Sequence, residues 1–276
     1  MLTSAKLAPV FPYAQLEQFW RDADELGFHA VYNYDHFFGL GQGLSEMRQE
    51  TLEGWATLAA MAKVVQRARI GCMVTGVTYR HPAVLANMAV AIDHISGGRL
   101  DFGIGAAWHE PEHVAYGMEF PTAGARIAML DEAIQVCKKL WAEDTAQFEG
   151  KHFRLKDALC EPKPVQRPHP PVIVGGTQPR MLRLIARHAD EWNAVSFEPE
   201  LWGSQNVQLT AACEEVGRDP SSVRRGVQLF LHPAQEGQIE QQMSNVKRYE
   251  DLGAEHVVLS FYQPPSRAQL EQVAPN

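Results

Sequence analysis

Four clusters in the sequence bring together residue types that could do chemistry. Asp35-His36 sets a carboxylate beside the side chain that titrates nearest neutral pH, a pairing suited to proton transfer. Asp35 could orient the ring or cap the loop that follows. His109-Glu110-Pro111-Glu112-His113 matches the H-E-x-x-H pattern, in which two histidines one helical turn apart hold zinc. Pro111 argues against that use. Proline fits the first turn of a helix but not its interior, so a helix here begins after His109 and the two-ligand face is lost. No metal is expected. Gly103-Ile104-Gly105 invites a dinucleotide reading, but the third glycine of that pattern falls at Trp108, whose indole blocks the close backbone approach. These glycines instead mark crowding at a strand end. Gly175-Gly176-Thr177 precedes Pro179 at a helix start, where backbone N–H groups favour a phosphate. The same three residues also make an ordinary strand-to-helix turn, and both readings stay open.

Repeated strand–helix units must position these clusters. Tyr13 to Gly27 carries Leu16, Phe19, Trp20, Ala23 and Leu26 at helical spacing, and Gly27 stops it. His29–Tyr34 reads as a strand, 51–66 as a helix, and 69–75 as a buried strand. A helix from Pro82 ends at Ser96-Gly97-Gly98, and Leu100–Ile104 is the next strand. A loop from Gly105 to Gly124 and a helix from Arg126 to Trp141 follow, then a small hairpin at Phe148–Phe153 and a proline-dense connection from Pro162 to Pro171. Strands at 172–174, 191–196, 223–232 and 256–261 alternate with helices at 179–189, 199–217 and 235–252. That makes seven clear strands. An eighth, Lys6–Phe11, is interrupted by Pro9. Seven or eight βα units in series predict a (β/α)8 TIM barrel, with the active site at the C-terminal strand ends. The whole of 1–276 is expected to be one barrel domain.

Composition narrows the function classes. The net charge is −8, and the one Arg-Arg pair, Arg224-Arg225, is no basic patch, so no nucleic-acid partner is expected. No apolar run reaches the ~18 residues of a membrane helix, and the first ten residues lack the apolar core and cleavage site of a signal peptide. Cys72, Cys137, Cys160 and Cys213 form no C-x-x-C and suit a reduced, cytoplasmic protein.

The chain resembles the luciferase-like monooxygenase family, and within it the branch that depends on coenzyme F420, a 5-deazaflavin. The matching residues run in order through nearly the whole chain. They are Ala23-x-Glu25-Leu-Gly-Phe28, Tyr34-Asp-His-Phe37, Thr75-x-x-x-Tyr-Arg-His-Pro82, Asp93-x-Ile-Ser-Gly-Gly-Arg99, Gly103-x-Gly105 and Glu110-x-Glu112-His113-x-x-Tyr-Gly117, then Phe153-Arg-Leu155, Pro171-x-x-Val-Gly-Gly176 and Ala189-Asp-Glu-Trp-Asn193. The resemblance implies a barrel that binds a flavin or deazaflavin at its C-terminal face. It implies that His36 stands beside the reactive carbon and that Asp35 contacts the ring system. Met73, Val74 and Thr75 would form the backstop under the ring, with a cis peptide between Met73 and Val74. Glu110 would be an assisting acid and Glu112 a polar contact, while Gly175, Gly176 and Thr177 would hold the phosphate-bearing tail. A homodimer is also implied. The chain departs from the family in its broken first strand, its short tail and a compact segment before strand seven.

The expected activity is hydride transfer between reduced F420 and a small organic substrate, with His36 moving the accompanying proton. His36, Thr75, Glu110 and Gly176 are expected to line one pocket. Two alternatives remain at this stage: an FMN-dependent monooxygenase of the same fold, and a cofactor-binding protein without turnover.

Overall fold

The computed structural model describes residues 1–40 and 47–275. Eight parallel strands close into a barrel in the order β1-β10-β9-β8-β7-β4-β3-β2. These strands are β1 (Leu2–Leu7), β2 (Ala30–Asn33), β3 (Arg69–Gly76), β4 (Leu100–Gly105), β7 (Val172–Gly175), β8 (Glu191–Val195), β9 (Arg224–Leu231) and β10 (His256–Phe261). The hairpin β5 (Ala146–Glu149) and β6 (Arg154–Ala158) stands apart as a two-stranded antiparallel sheet. Helices follow the barrel strands: α1 (Tyr13–Glu25), α2 (Gly54–Val64), α3 (Pro82–Ser96), α4 (Glu110–Tyr116), α5 (Ala123–Ala142), α6 (Pro179–His188), α7 (Pro199–Glu215), α8 (Gln238–Asp251) and α9 (Arg267–Glu271). This is the (β/α)8 TIM barrel that the strand–helix alternation predicts.

The main core lies between strands and helices. Alternate strand residues such as Ala5, Leu7, Val31, Phe102 and Val174 meet the apolar faces of the helices, among them Leu182, Ile185 and Trp141. The opposite strand faces fill the barrel, where Ala30, Tyr32, Met73, Ile173 and Val258 form a small inner cluster. Beside this cluster the interior is polar, and several of its groups pair with one another. Tyr32 donates to Asp101 at 2.7 Å, and His256 bridges Ser4 and Glu191, each at 2.7 Å.

Two elements differ from the sequence reading. The first strand is Leu2–Leu7, not Lys6–Phe11, and pairs residue for residue with β10 from Leu2↔His256 to Leu7↔Phe261. Its inward residues are Ser4 and Lys6, so it shows no apolar run, and Pro9 lies beyond its end. The segment read as a loop from Gly105 to Gly124 contains α4. That helix starts at Glu110 with Pro111 in its first turn and ends at Gly117, where φ is 67°.

Gly103 lets β3 and β4 pass where β3 shifts register between Cys72 and Thr75. A Cβ there would stand 2.1 Å from the Cys72 carbonyl oxygen. Backbone cannot yield as a side chain can, so Gly103→Ala is expected to destabilise the fold by about 3 kcal/mol or more. Urea unfolding midpoints of the variant and wild type check this, and equal midpoints refute it.

Glu191 makes the stability of the barrel sensitive to acid. Burial raises its carboxyl, but the His256 charge and hydrogen bond, with Arg224 at 3.2 Å, outweigh burial and hold it below the usual carboxylate range. A depressed folded pKa contributes stability that is fully present above the unfolded value of 4.5 and is lost as pH falls through the folded value. Unfolding free energy measured downward from pH 5 is therefore expected to fall more steeply in wild type than in Glu191→Gln. Parallel curves would remove Glu191 as the cause.

Candidate active site

The C-terminal strand ends surround a cavity of about 950 Å³. Ligand sites of ~300–1,000 Å³ are usual, so it is large enough for a planar tricycle with a tail. Lys6, Asp35, His36, Met73, Val74, Thr75, Tyr79, Gly175, Gly176 and Thr177 all contribute to its wall.

His36 follows β2 and is nearly buried. Its Nδ1 lies 2.8 Å from Oε2 of Glu112, a fully buried residue on α4. The remaining capacity of that carboxylate is also taken. The Tyr79 hydroxyl donates to Oε2 at 2.7 Å and the Phe37 N–H donates to Oε1 at 2.6 Å. Burial raises the Glu112 carboxyl, but the hydrogen bond and charge of His36, then the bonds from Tyr79 and Phe37, prevail and hold it below its ordinary value. An ionised Glu112 only accepts, so Nδ1 carries a proton and donates it. Nε2 is then the nitrogen left free to gain or give up a proton. Burial and the Glu112 contact both push the Tyr79 phenol far above its usual range, so it stays a donor.

Asp35 is fully buried and contacts both guanidinium nitrogens of Arg80, with Nη2 at 3.0 Å from Oδ1. The Thr75 hydroxyl donates to Asp35 and accepts from the Trp55 indole N–H at 2.8 Å. Arg80 also reaches Glu53. This network ties the end of β2 to the end of β3 and engages Asp35 before any ligand arrives. The Met73–Val74 peptide is cis, at the position the resemblance implies.

On the far wall, Gly175 and Gly176 end β7, and Gly176 has φ 118°. Thr177 follows, and α6 begins without a side-chain cap from Gln178, which leaves its first backbone N–H groups for another acceptor. The Trp192 indole holds the Gly176 carbonyl at 2.8 Å.

Two expected residues stand elsewhere. Glu110 opens α4 with an exposed side chain and is not part of the cavity wall. Glu112 is near His36 but behind it, away from the cavity. His109 precedes α4, as Pro111 requires, and His113 uses Nδ1 on the His109 carbonyl and Nε2 on Thr78, at 2.9 and 2.6 Å. Two cavity residues were not singled out from the sequence, Tyr79 and Lys6, nor was Arg80, which holds Asp35. Tyr79 and Arg80 do stand in the Thr75–Pro82 motif, whereas Lys6 carried no signal.

Fold and site together define a (β/α)8 barrel with a cofactor-sized cavity at its C-terminal face. The chain belongs to the luciferase-like monooxygenase family, whose model matches residues 2–272. It is 35% identical over 144 residues to the uncharacterized protein Rv0953c of Mycobacterium tuberculosis, covering 51% of this chain and 49% of that one. It is 30% identical over 207 residues to the pyrimidine monooxygenase RutA of Stutzerimonas stutzeri, covering 72% of this chain and 56% of that one. Similarity to the F420-dependent glucose-6-phosphate dehydrogenase of Microbacterium testaceum is 28% over 223 residues, 79% of this chain and 64% of that one. The matched region thus spans about half the length of the first two relatives. Among solved structures, an F420-dependent secondary alcohol dehydrogenase in complex with an F420–acetone adduct superposes with a TM-score of 0.86 at 18% identity, covering 99% of this chain and 98% of that one. The F420-dependent tetrahydromethanopterin reductase of Methanopyrus kandleri gives 0.83 at 14%, covering 99% and 97%. At such identities these structures show the fold alone. No described helix is long and apolar enough to cross a membrane.

Proposed function

We propose that the protein is an F420-dependent oxidoreductase that transfers a hydride between the reduced deazaflavin and a small organic substrate. The observation that carries this reading is the proton-handling unit on the cavity wall: His36, its Nδ1 occupied by a buried carboxylate that Tyr79 also fills. A hydride transfer to or from a carbonyl compound needs one accompanying proton, and His36 is the group placed to move it.

The residues present fit the cofactor. The backbone at Gly175 and Gly176 leaves the wall free of side chains beside the uncapped start of α6, which suits a phosphate. A Cβ on Gly176 would come within 3.3 Å of the Met181 side chain. When bound, reduced F420 supplies the hydride from C5. His36 gives or takes the proton at Nε2. Glu112 keeps the Nδ1 proton in place and fixes the ring. The tied Asp35 and Thr75 hold the ends of β2 and β3 rigid. The cavity holds the reacting partners face to face and removes part of the entropic barrier. With its four buried free cysteines the protein is read as cytoplasmic, as one domain over 1–276, and as a homodimer.

The similarity to a pyrimidine monooxygenase supports a second reading, an FMN-dependent monooxygenase. Titration of the protein with F420 and with FMN, followed by tryptophan fluorescence, separates the two. Reoxidation of reduced F420 without oxygen, on a panel of small aldehydes and ketones, is the result expected. Binding of FMN alone, with consumption of oxygen, would replace the deazaflavin reading. Saturable F420 binding without turnover on any of the panel would leave a cofactor-binding protein.

A further inference from the structure

Lys6 is the least explained group in the cavity. It lies at the end of β1, is 7% exposed, and forms part of the cavity wall. Its ammonium has three hydrogens to donate, yet among the described residues its one side-chain partner is Oε1 of Gln228, at 3.3 Å. No carboxylate of the described residues lies within ion-pair distance of it. The buried carboxylates of the His36 side of the site are spent: Asp35 is held by Arg80 and Thr75, and Glu112 by His36, Tyr79 and Phe37. Asn193 forms part of the same wall, and its buried Nδ2 has no hydrogen-bond partner among the described residues. A buried cation and a buried amide without partners are costly, and such groups are kept when something else completes them. The cavity around them is otherwise largely apolar, with Phe11, Trp108, Phe230 and Phe261 in its wall.

We propose that Lys6 seats a carboxylate of the substrate, so that the substrates are apolar or aromatic carboxylic acids that carry a reducible or oxidisable carbon elsewhere. The proposal takes the oxidoreductase reading for the reaction, but the anion seat itself is defined by Lys6, Gln228 and Asn193 alone. Burial lowers the Lys6 ammonium to about 8, against an opposing effect of Cys72 on β3. The other titratable or charged groups on the same cavity are Tyr34, Asp35 and His36 after β2, Tyr79 after β3, Tyr262 after β10, and Arg126 on α5, whose guanidinium already donates to the Ala106 and Pro121 carbonyls. Burial raises Tyr34, and burial with the Glu112 bond raises Tyr79, so neither phenol ionises near neutrality. A carboxylate therefore meets a charged Lys6 at neutral pH and loses it as pH rises past about 8.

The test uses benzoate and its uncharged counterpart benzamide as probes, with dissociation constants measured by calorimetry on the full chain, with and without F420. At pH 7 benzoate is expected to bind at least about tenfold more tightly, the effect of one buried charge-assisted contact. The preference is expected to vanish in Lys6→Met, to persist in Lys6→Arg, and to decline in wild type between pH 7 and pH 9.5. Equal affinities in wild type, or a preference that survives Lys6→Met, overturn the proposal. Should Lys6→Met fail to fold by circular dichroism, Lys6→Gln decides, because a preference that survives the loss of the ammonium overturns the proposal. F420 titrated on the same samples keeps the two readings apart. Failure of F420 to bind ends the deazaflavin assignment and leaves the anion seat standing, whereas normal F420 binding with no benzoate preference ends the anion seat alone.

Discussion

His36→Asn is expected to lower turnover with reduced F420 by about 10²–10⁴-fold, the usual worth of a positioned acid or base. Asparagine keeps a polar side chain but cannot exchange a proton near neutral pH. The ring it replaces is held by more than Glu112: Tyr34 and Trp108 stand edge-on to it at 5.0 and 5.6 Å. Removal of the imidazole therefore leaves a gap as well as an unfilled acceptor on a buried carboxylate, and a cost of about 1–3 kcal/mol in stability is expected. Affinity for F420 is expected to change by less than about threefold, because the tail seat proposed at Gly175 to Thr177 lies at the end of another strand. Turnover, F420 dissociation constant and melting temperature measured on one preparation separate a chemical role from a packing role. Unchanged turnover with intact binding would take His36 out of the mechanism.

The position of His36 is legible in the sequence for a physical reason. A strand that ends in Asp-His, in a chain of repeated strand–helix units, puts the histidine at the barrel face where substrates bind. The barrel is legible for the same reason, since seven strands show apolar runs bounded by turn residues and differ from their observed limits by only a residue or so. The first strand is not legible, because Ser4 and Lys6 point into the barrel and replace the apolar signal with a polar one. Those same residues prove informative once placed: Ser4 joins the buried chain to His256 and Glu191, and Lys6 reaches the cavity.

The choice between Glu110 and Glu112 shows where one sequence stops. The two residues are separated by two positions, so on a helix they point about 200° apart, given ~100° per residue. Which one meets His36 depends on where α4 begins and how it is turned against the loop after β2. Neither is encoded in a seven-residue helix with a proline in its first turn. Packing decides in favour of Glu112, and the backbone N–H of Phe37 fixes the choice by donating to its second oxygen. The tie between Thr75, Asp35 and Arg80 is likewise a matter of three segments meeting, although each residue stands in a motif that the sequence displays.

Glu112→Gln is the companion test, and its expected effect is nearly as large. Glu112 receives four hydrogen bonds, from His36, Tyr79, Phe37 and, at 3.4 Å, Phe38. An amide presents two N–H groups where only donors face it, so one side must give way. The backbone N–H groups cannot turn, so the amide oxygen stays with Phe37 and the amide nitrogen faces His36 and Tyr79. His36 then accepts at Nδ1 and moves its proton to Nε2, the opposite tautomer from the one the carboxylate enforces. In serine proteases the analogous loss of a buried carboxylate drops turnover about 10⁴-fold through the wrong tautomer. We expect about 10²–10³-fold here, since one proton transfer is affected. A purely structural glutamate would lower stability and leave the pH profile of the remaining activity unchanged. A positioning glutamate moves the limb of kcat/KM that reports His36, and changes kcat more than KM. Residues that act as one unit do not add, so the double variant His36→Asn/Glu112→Gln is expected to fall no more than a few-fold below His36→Asn alone. Multiplicative losses in the double variant would mean that Glu112 acts on the reaction by a route that does not pass through His36.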